Sequence, residues 1–199
     1  MNMEKSVTTC LASVAALVAA SDAVSAQDWA GAYAGLSLNS NSGTSPAQPY
    51  VYDEGYQMGS DATFGAFAGY RWNVSENLVM GVEVAMQSGI DVEAPASYAP
   101  VDGYSYSNLI DAKLSVGTPV GKALVYGFAG VSSGNLETPW DEYNASGANF
   151  GVGVDYQVND RISVGLEYIT RNMTGYTSGG NPDDLKNAST ISLRTSFKF

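Results

Sequence analysis

Histidine is missing from all 199 residues, and the only cysteine, Cys10, stands near the start of the chain. Without histidine, the commonest general base and imidazole metal ligand is excluded. A lone cysteine excludes an intrachain disulfide framework. Basic residues are also scarce, nine against 20 acidic ones, for a formal net charge of −11. Such a surface repels nucleic acid. Beyond the first segment no apolar run approaches the ~20 residues of a spanning helix, and helical periodicity is almost absent.

The first segment reads as an export signal. Met1 to Lys5 form a short basic n-region, TTCLASVAALVAA an apolar h-region, and Val24-Ser25-Ala26 a small-residue cleavage site. Residues 1–26 are therefore expected to be removed, with Gln27 as the first mature residue and residues 27–199 as one domain. Cys10 follows Val7-Thr8-Thr9 inside the signal and is no lipidation site, so the mature chain is expected to hold no cysteine. Setting Glu4, Lys5 and Asp22 aside leaves 18 acidic and 8 basic residues, a net charge of about −10.

What is present is period two. Eight alternating segments span 30–39, 62–72, 78–86, 106–118, 123–131, 148–158, 161–171 and about 189–199. Glycine inside these runs argues for strands over helices. The connections after the second, fourth and sixth segments are short. Those after the first, third, fifth and seventh cover roughly 40–61, 87–105, 132–147 and 172–188 and are rich in Gly, Ser, Asn and Pro. Long loops at one end and tight turns at the other describe an all-β, eight-stranded antiparallel up-and-down barrel.

Charge decides which face is inside. No Asp, Glu, Lys or Arg occupies the apolar parity of any segment. Arg71, Glu83, Asp111, Lys113, Asp155, Arg161, Glu167, Arg171, Arg194 and Lys198 all occupy the other parity, with many Gly and Ser. Small residues suit the cramped interior of an eight-stranded barrel. On the apolar parity, aromatic residues gather at the two ends. Tyr70, Trp72, Tyr126, Tyr156, Phe197 and Phe199 lie toward the short turns, and Phe64, Tyr106 and Tyr168 toward the long loops. Two girdles flanking an aliphatic band fit a lipid-facing exterior. The fifth segment is ambiguous, because Leu124, Tyr126 and Phe128 alternate with Val125, Gly127 and Ala129; the apolar face is assigned to the former set.

The opening Trp29-Ala30-Gly31-Ala32-Tyr33-Ala34-Gly35 resembles the W-x-G-x-Y-x-G start of small eight-stranded outer-membrane barrels, the opacity-protein-like and OmpA-like proteins of proteobacteria. Gly151 to Tyr156, the turn Asn159-Asp160, and Gly165 to Tyr168 resemble that family's sixth and seventh strands. The resemblance implies a Gram-negative outer-membrane location, extracellular long loops and periplasmic termini. It implies a structural or surface-interaction role, at most a narrow pore, and neither catalytic residues nor a cofactor. Terminal Phe199 resembles the signal read by the barrel-assembly machinery. The resemblance covers the barrel alone, and the family's optional peptidoglycan-binding domain is not expected after the eighth segment.

Inside, Glu83, Asp111, Lys113, Glu167 and Arg194 fall at similar mid-barrel heights. Glu83 with Lys113 and Glu167 with Arg194 are expected as cross-strand pairs, since unpaired charges there would be costly. They are read as an interior plug, with a small-solute porin as the alternative and a secreted soluble ligand-binding barrel as the third reading. Outside, Asp53, Glu54, Asp61, Asp91, Glu93, Asp102, Glu137, Asp141, Glu142, Asp183 and Asp184 face only Lys186. These residues read as solvated loops or as carboxylates bridged by divalent cations to lipopolysaccharide. Loop aromatics such as Tyr50 and Trp140 suit host or environmental surface ligands, or packing of the loops on themselves. No spacing singles out a catalytic set.

Overall fold

The computed structural model describes residues 28–45, 56–58, 62–93, 104–137, 142–176 and 182–199, and these contain no helix. Eight long strands build the wall: β1 (Gly31–Ser42), β4 (Ala62–Ser75), β5 (Leu78–Gln87), β7 (Tyr104–Val120), β8 (Ala123–Glu137), β9 (Glu142–Gln157), β10 (Ile162–Tyr176) and β11 (Pro182–Lys198). Each pairs antiparallel with its sequence neighbour. β1 pairs with β11, Leu38 opposite Leu193, and β7 with β8, Leu114 opposite Ala129, so the sheet closes on itself. Closure removes the open strand edges that lipid would leave unpaired. Three short strands, β2 (Thr44–Ser45), β3 (Tyr56–Met58) and β6 (Ile90–Glu93), continue the wall beyond β7 at the long-loop end. Where β7 passes from β5 to β6, Asn108 takes φ 51° and the β7–β8 register shifts. Asn is among the few residues that tolerate this left-handed backbone.

The barrel is apolar outside. Phe64 is 71% exposed and Leu114 67%, whereas Arg171 and Arg194 are each 3% exposed. The expected parity holds on seven of the eight strands. β8 departs from it: Leu124, Tyr126 and Phe128 are buried in the lumen, and Val125 and Val131 face outward. The placement of Tyr126 in the outer aromatic girdle is therefore corrected. The physical cause lies on β9, whose inward Gly151 and Gly153 stand opposite Phe128 and Tyr126, with no room for a Cβ beneath those rings. Phe67 over Gly35 and Tyr33 over Gly69 repeat this device between β4 and β1.

The strands also outrun the apolar alternation. Parts of 132–147 and 172–188, expected as loops, are paired hairpin arms reaching Glu137 and Glu142 on one hairpin and Tyr176 and Pro182 on the other. Beyond the aliphatic band the outward residues turn polar (Ser133, Asn144, Ser146, Asn172) while the backbone ladder continues. Hydrophobic alternation marks where lipid ends, and hydrogen bonding marks where the strand ends.

Candidate functional site

The lumen is filled by side chains in layers. The ring order places β1 and β4 on one side and β8 and β9 opposite, with β10, β11 and β5, β7 between them. Aromatic rings from β1, β4 and β8 occupy the first two quadrants together with the Arg71–Asp155 pair, and the remaining inward charges come from the other two.

Four of the five residues expected in the charge network meet at mid-height. Lys113 Nζ lies 2.8 Å from Glu83 Oε1 and 2.7 Å from Glu167 Oε1. Arg194 Nη2 lies 2.5 Å from Glu83 Oε2, and its Nη1 pairs with Glu167 Oε2. Two cations thus bridge two carboxylates in a closed ring that spans the barrel as well as neighbouring strands. Tyr33 donates its hydroxyl proton to Glu83 at 2.9 Å, and Tyr126 donates to Glu167 at 3.2 Å while accepting from Arg194 at 3.2 Å. The Arg194 guanidinium sits 3.8 Å from the Phe67 ring centroid, and the Lys113 ammonium 4.9 Å from that of Phe128. These ring faces add attraction in a site with little water.

Asp111 is not part of this ring. It stands one layer toward the long loops, where Arg171 grips both its oxygens, Nε to Oδ1 at 2.9 Å and Nη2 to Oδ2 at 2.6 Å. The pair belongs to a belt with one residue from every wall strand. Gln87 donates to Asn41 (2.9 Å) and Thr63 (3.0 Å), and Thr190 donates to Asn41 (2.8 Å). Arg171 Nη1 donates to Thr190 (2.7 Å), Ser132 to Asp111 (2.6 Å) and Asn149 to Ser132 (2.8 Å). Toward the short turns, Arg71 Nη2 meets Asp155 Oδ2 at 2.5 Å, and the Tyr33 ring centroid lies 4.4 Å from the guanidinium.

The sequence reading placed Arg71, Asp155 and Arg171 on the inward parity but grouped none of them into pairs. Their partners lie across the barrel, and only the closed ring of strands brings such residues together. Each layer is electrically neutral. Apolar side chains bound the stack, Val79 and Leu124 near the short turns and Leu109, Ala145, Met173 and Ala188 toward the long loops. Between ring and belt remains a cavity of about 20 Å³, bordered by Asn39, Gln87 and the charged groups, which is room for about one water molecule.

Of the girdle residues, Phe64, Tyr70, Trp72, Tyr156, Tyr168 and Phe197 face outward, and Phe199 does so at the chain end. Phe197 and Phe199 meet edge to face, with centroids 5.4 Å apart. The side chain of Tyr106 lies outside the described residues, as do the signal segment 1–26, Tyr50, Trp140 and most of the loop acids.

The profile of the outer membrane protein beta-barrel domain family matches residues 8–199. The chain is 23% identical over 168 residues to the 31 kDa outer-membrane immunogenic protein of Brucella melitensis biotype 1, covering 71% of this chain and 70% of that one. It is 30% identical over 148 residues to the 22 kDa outer membrane protein of Rhizobium leguminosarum bv. viciae, covering 72% and 64%. The crystal structure of OprG from Pseudomonas aeruginosa superposes with a TM-score of 0.53 at 13% identity, covering 87% of this chain and 98% of that one, a likeness of fold alone. The chain belongs to the outer membrane protein beta-barrel domain family and is a protein of the outer membrane, its long hairpins extracellular and its short turns and C-terminus periplasmic.

Proposed function

We propose that this protein is a sealed outer-membrane barrel with a structural and surface-presenting role, in which the lumen is a plug and the extracellular hairpins are the working surface. The observation that carries this reading is the complete internal pairing of the lumen charges: Arg71 with Asp155, the Glu83–Lys113–Glu167–Arg194 ring, and Arg171 with Asp111. A pathway for solutes would have to separate buried ion pairs in several successive layers, each costly to break. Apolar layers at both ends of the stack further oppose hydration.

Lipid and lipopolysaccharide surround the wall in this reading. Phe199 is the contact offered to the barrel-assembly machinery during biogenesis, and the extracellular hairpins meet host or environmental ligands. The test is conductance in planar bilayers. The purified protein is expected to give no steady openings. Steady openings abolished by pairwise charge substitution at Glu83 and Arg194 would establish the small-solute porin instead.

A further inference from the structure

One element at the periplasmic mouth belongs to neither wall nor hairpin. Residues Asp28, Trp29 and Ala30 precede β1, yet Trp29 is 5% exposed. Its indole joins the apolar cluster of Val79, Leu124 and Tyr126, and its ring centroid lies 5.7 Å from the Arg71 guanidinium. The chain reaches this position by turning at Gly31, whose φ of 126° is a backbone conformation that residues with a Cβ rarely adopt. A Cβ at Gly31 would meet only ordinary contacts, so the requirement is conformational rather than spatial.

Asp28 holds the turn from outside the mouth. Its Oδ1 accepts from Ala30 N at 2.9 Å and from Asn73 Nδ2 at 3.0 Å. Lys198, on the last wall strand, donates to the Asp28 carbonyl at 2.7 Å and lies 3.4 Å from Oδ2. These latches are exposed, and the buried indole Nε1 has no hydrogen-bond partner among the described residues. The segment is therefore held more weakly than the paired layers above it.

We propose that Asp28–Trp29–Ala30 is an N-terminal stopper: the Trp29 indole closes the periplasmic mouth beneath the Arg71–Asp155 pair, Gly31 is its hinge, and Asp28 with Asn73 and Lys198 is its latch. This rests on the sealed-barrel reading and adds that the lowest seal is a separable piece of chain rather than wall. Three residues that open the alternating sequence then have distinct duties. Trp29 closes the mouth, Gly31 turns the chain, and Tyr33 stacks on Arg71 and donates to Glu83.

The test is thiol accessibility in the folded full chain, in a Cys10→Ser background, with iodoacetamide as the probe. A Val79→Cys thiol behind the stopper is expected to label at least about tenfold more slowly than Asn77→Cys in the exposed turn. Adding Trp29→Ala, or Gly31→Val with the indole retained, should raise the Val79→Cys rate by about tenfold while Ser192→Cys, deeper in the lumen, stays slow. Retention of heat-modifiable gel mobility confirms that each variant is folded.

The stopper is overturned if the Val79→Cys rate is unchanged by both variants, or if Ser192→Cys accelerates with it, since Trp29 would then be ordinary core. Conductance separates the two readings. A silent barrel with a freely labelled Val79→Cys keeps the sealed reading and loses the stopper. If the unaltered barrel conducts, the sealed reading fails. The stopper then stands only if Trp29→Ala enlarges the current.

Discussion

Arg194 shows how much one lumen residue holds together. Its guanidinium touches two carboxylates, a phenol and an aromatic face contributed by four other strands. Arg194→Met keeps most of the volume but leaves Glu83 and Glu167 to share Lys113 alone. Breaking a buried pair by removing one partner costs about 3–5 kcal/mol, and urea unfolding in lipid vesicles should show a loss of that order. Adding Glu167→Gln should return part of it, because the surviving charges then balance; a double variant less stable than the single one would contradict the ring. Asp28, outside the membrane span, gives a pH signature of a different kind. The Ala30 N–H bond, aided by Lys198 and Asn73, holds its carboxyl below the ordinary value of 3.8. A depressed folded-state pKa stabilises above the unfolded value and is lost as pH falls through the folded one. In a Trp72→Phe, Trp140→Phe background, Trp29 emission should stay blue at neutral pH and shift red below about pH 4. Asp28→Asn should remove that acid transition, and if it persists unchanged the latch is elsewhere.

Strand β8 marks where the elements were legible in sequence and where they were not. Six of the eight alternating segments carry at least one charge, those of β1 and β8 being the exceptions, and a single buried charge fixes the parity of a whole strand, because slipping by one residue exposes every inward group to lipid. Residues 123–131 hold no charge, so both parities are tolerable in lipid on composition alone. The missing signal was on the neighbouring strand: inward Gly151 and Gly153 leave a gap that Phe128 and Tyr126 fill. The pairing of β8 with β9 is immediate in sequence, but register is needed to see which ring meets which glycine. The hairpin arms were hidden for a related reason, since polar outward residues such as Ser133 and Ser146 erase the alternation without ending the ladder. Nitroxide labels at Val125, Ala129 and Val131 are expected to show high oxygen accessibility in bilayers, and labels at Phe128 low accessibility. Correspondingly, Ala129→Arg should cost about 2–4 kcal/mol of folding stability near the bilayer centre, and Ser133→Arg about 0–1. Equal costs at the two positions would return β8 to the parity expected from its sequence.

At the scale of the molecule, the net charge has a single address. The lumen cancels, four acids against four bases among its inward residues. The short-turn end cancels as well, with Asp28, Glu76 and Asp160 against Lys122, Arg161 and Lys198. What remains from residue 27 onward, 11 acids and Lys186, falls in the sequence of the four long connections, so a balance of about −10 belongs to those connections. This segregation was legible in sequence once the long and short connections were told apart, whereas the pairing that makes the lumen neutral needed the closed ring of strands. It has a kinetic consequence, because the acidic hairpins must approach and cross a bilayer during unassisted refolding from urea. At low salt an anionic lipid surface repels them. The Debye length falls from about 30 Å at 0.01 M to about 3 Å at 1 M, so the repulsion should vanish over that range. Refolding into vesicles containing phosphatidylglycerol is therefore expected to be slower than into purely zwitterionic vesicles at 0.01 M salt, with the two rates converging toward 1 M. Asp183→Asn with Asp184→Asn should narrow the low-salt gap, while Glu76→Gln with Asp160→Asn in the periplasmic turns should leave it nearly unchanged, since those turns need not cross. Equal narrowing by both pairs would mean that total charge rather than its placement governs insertion.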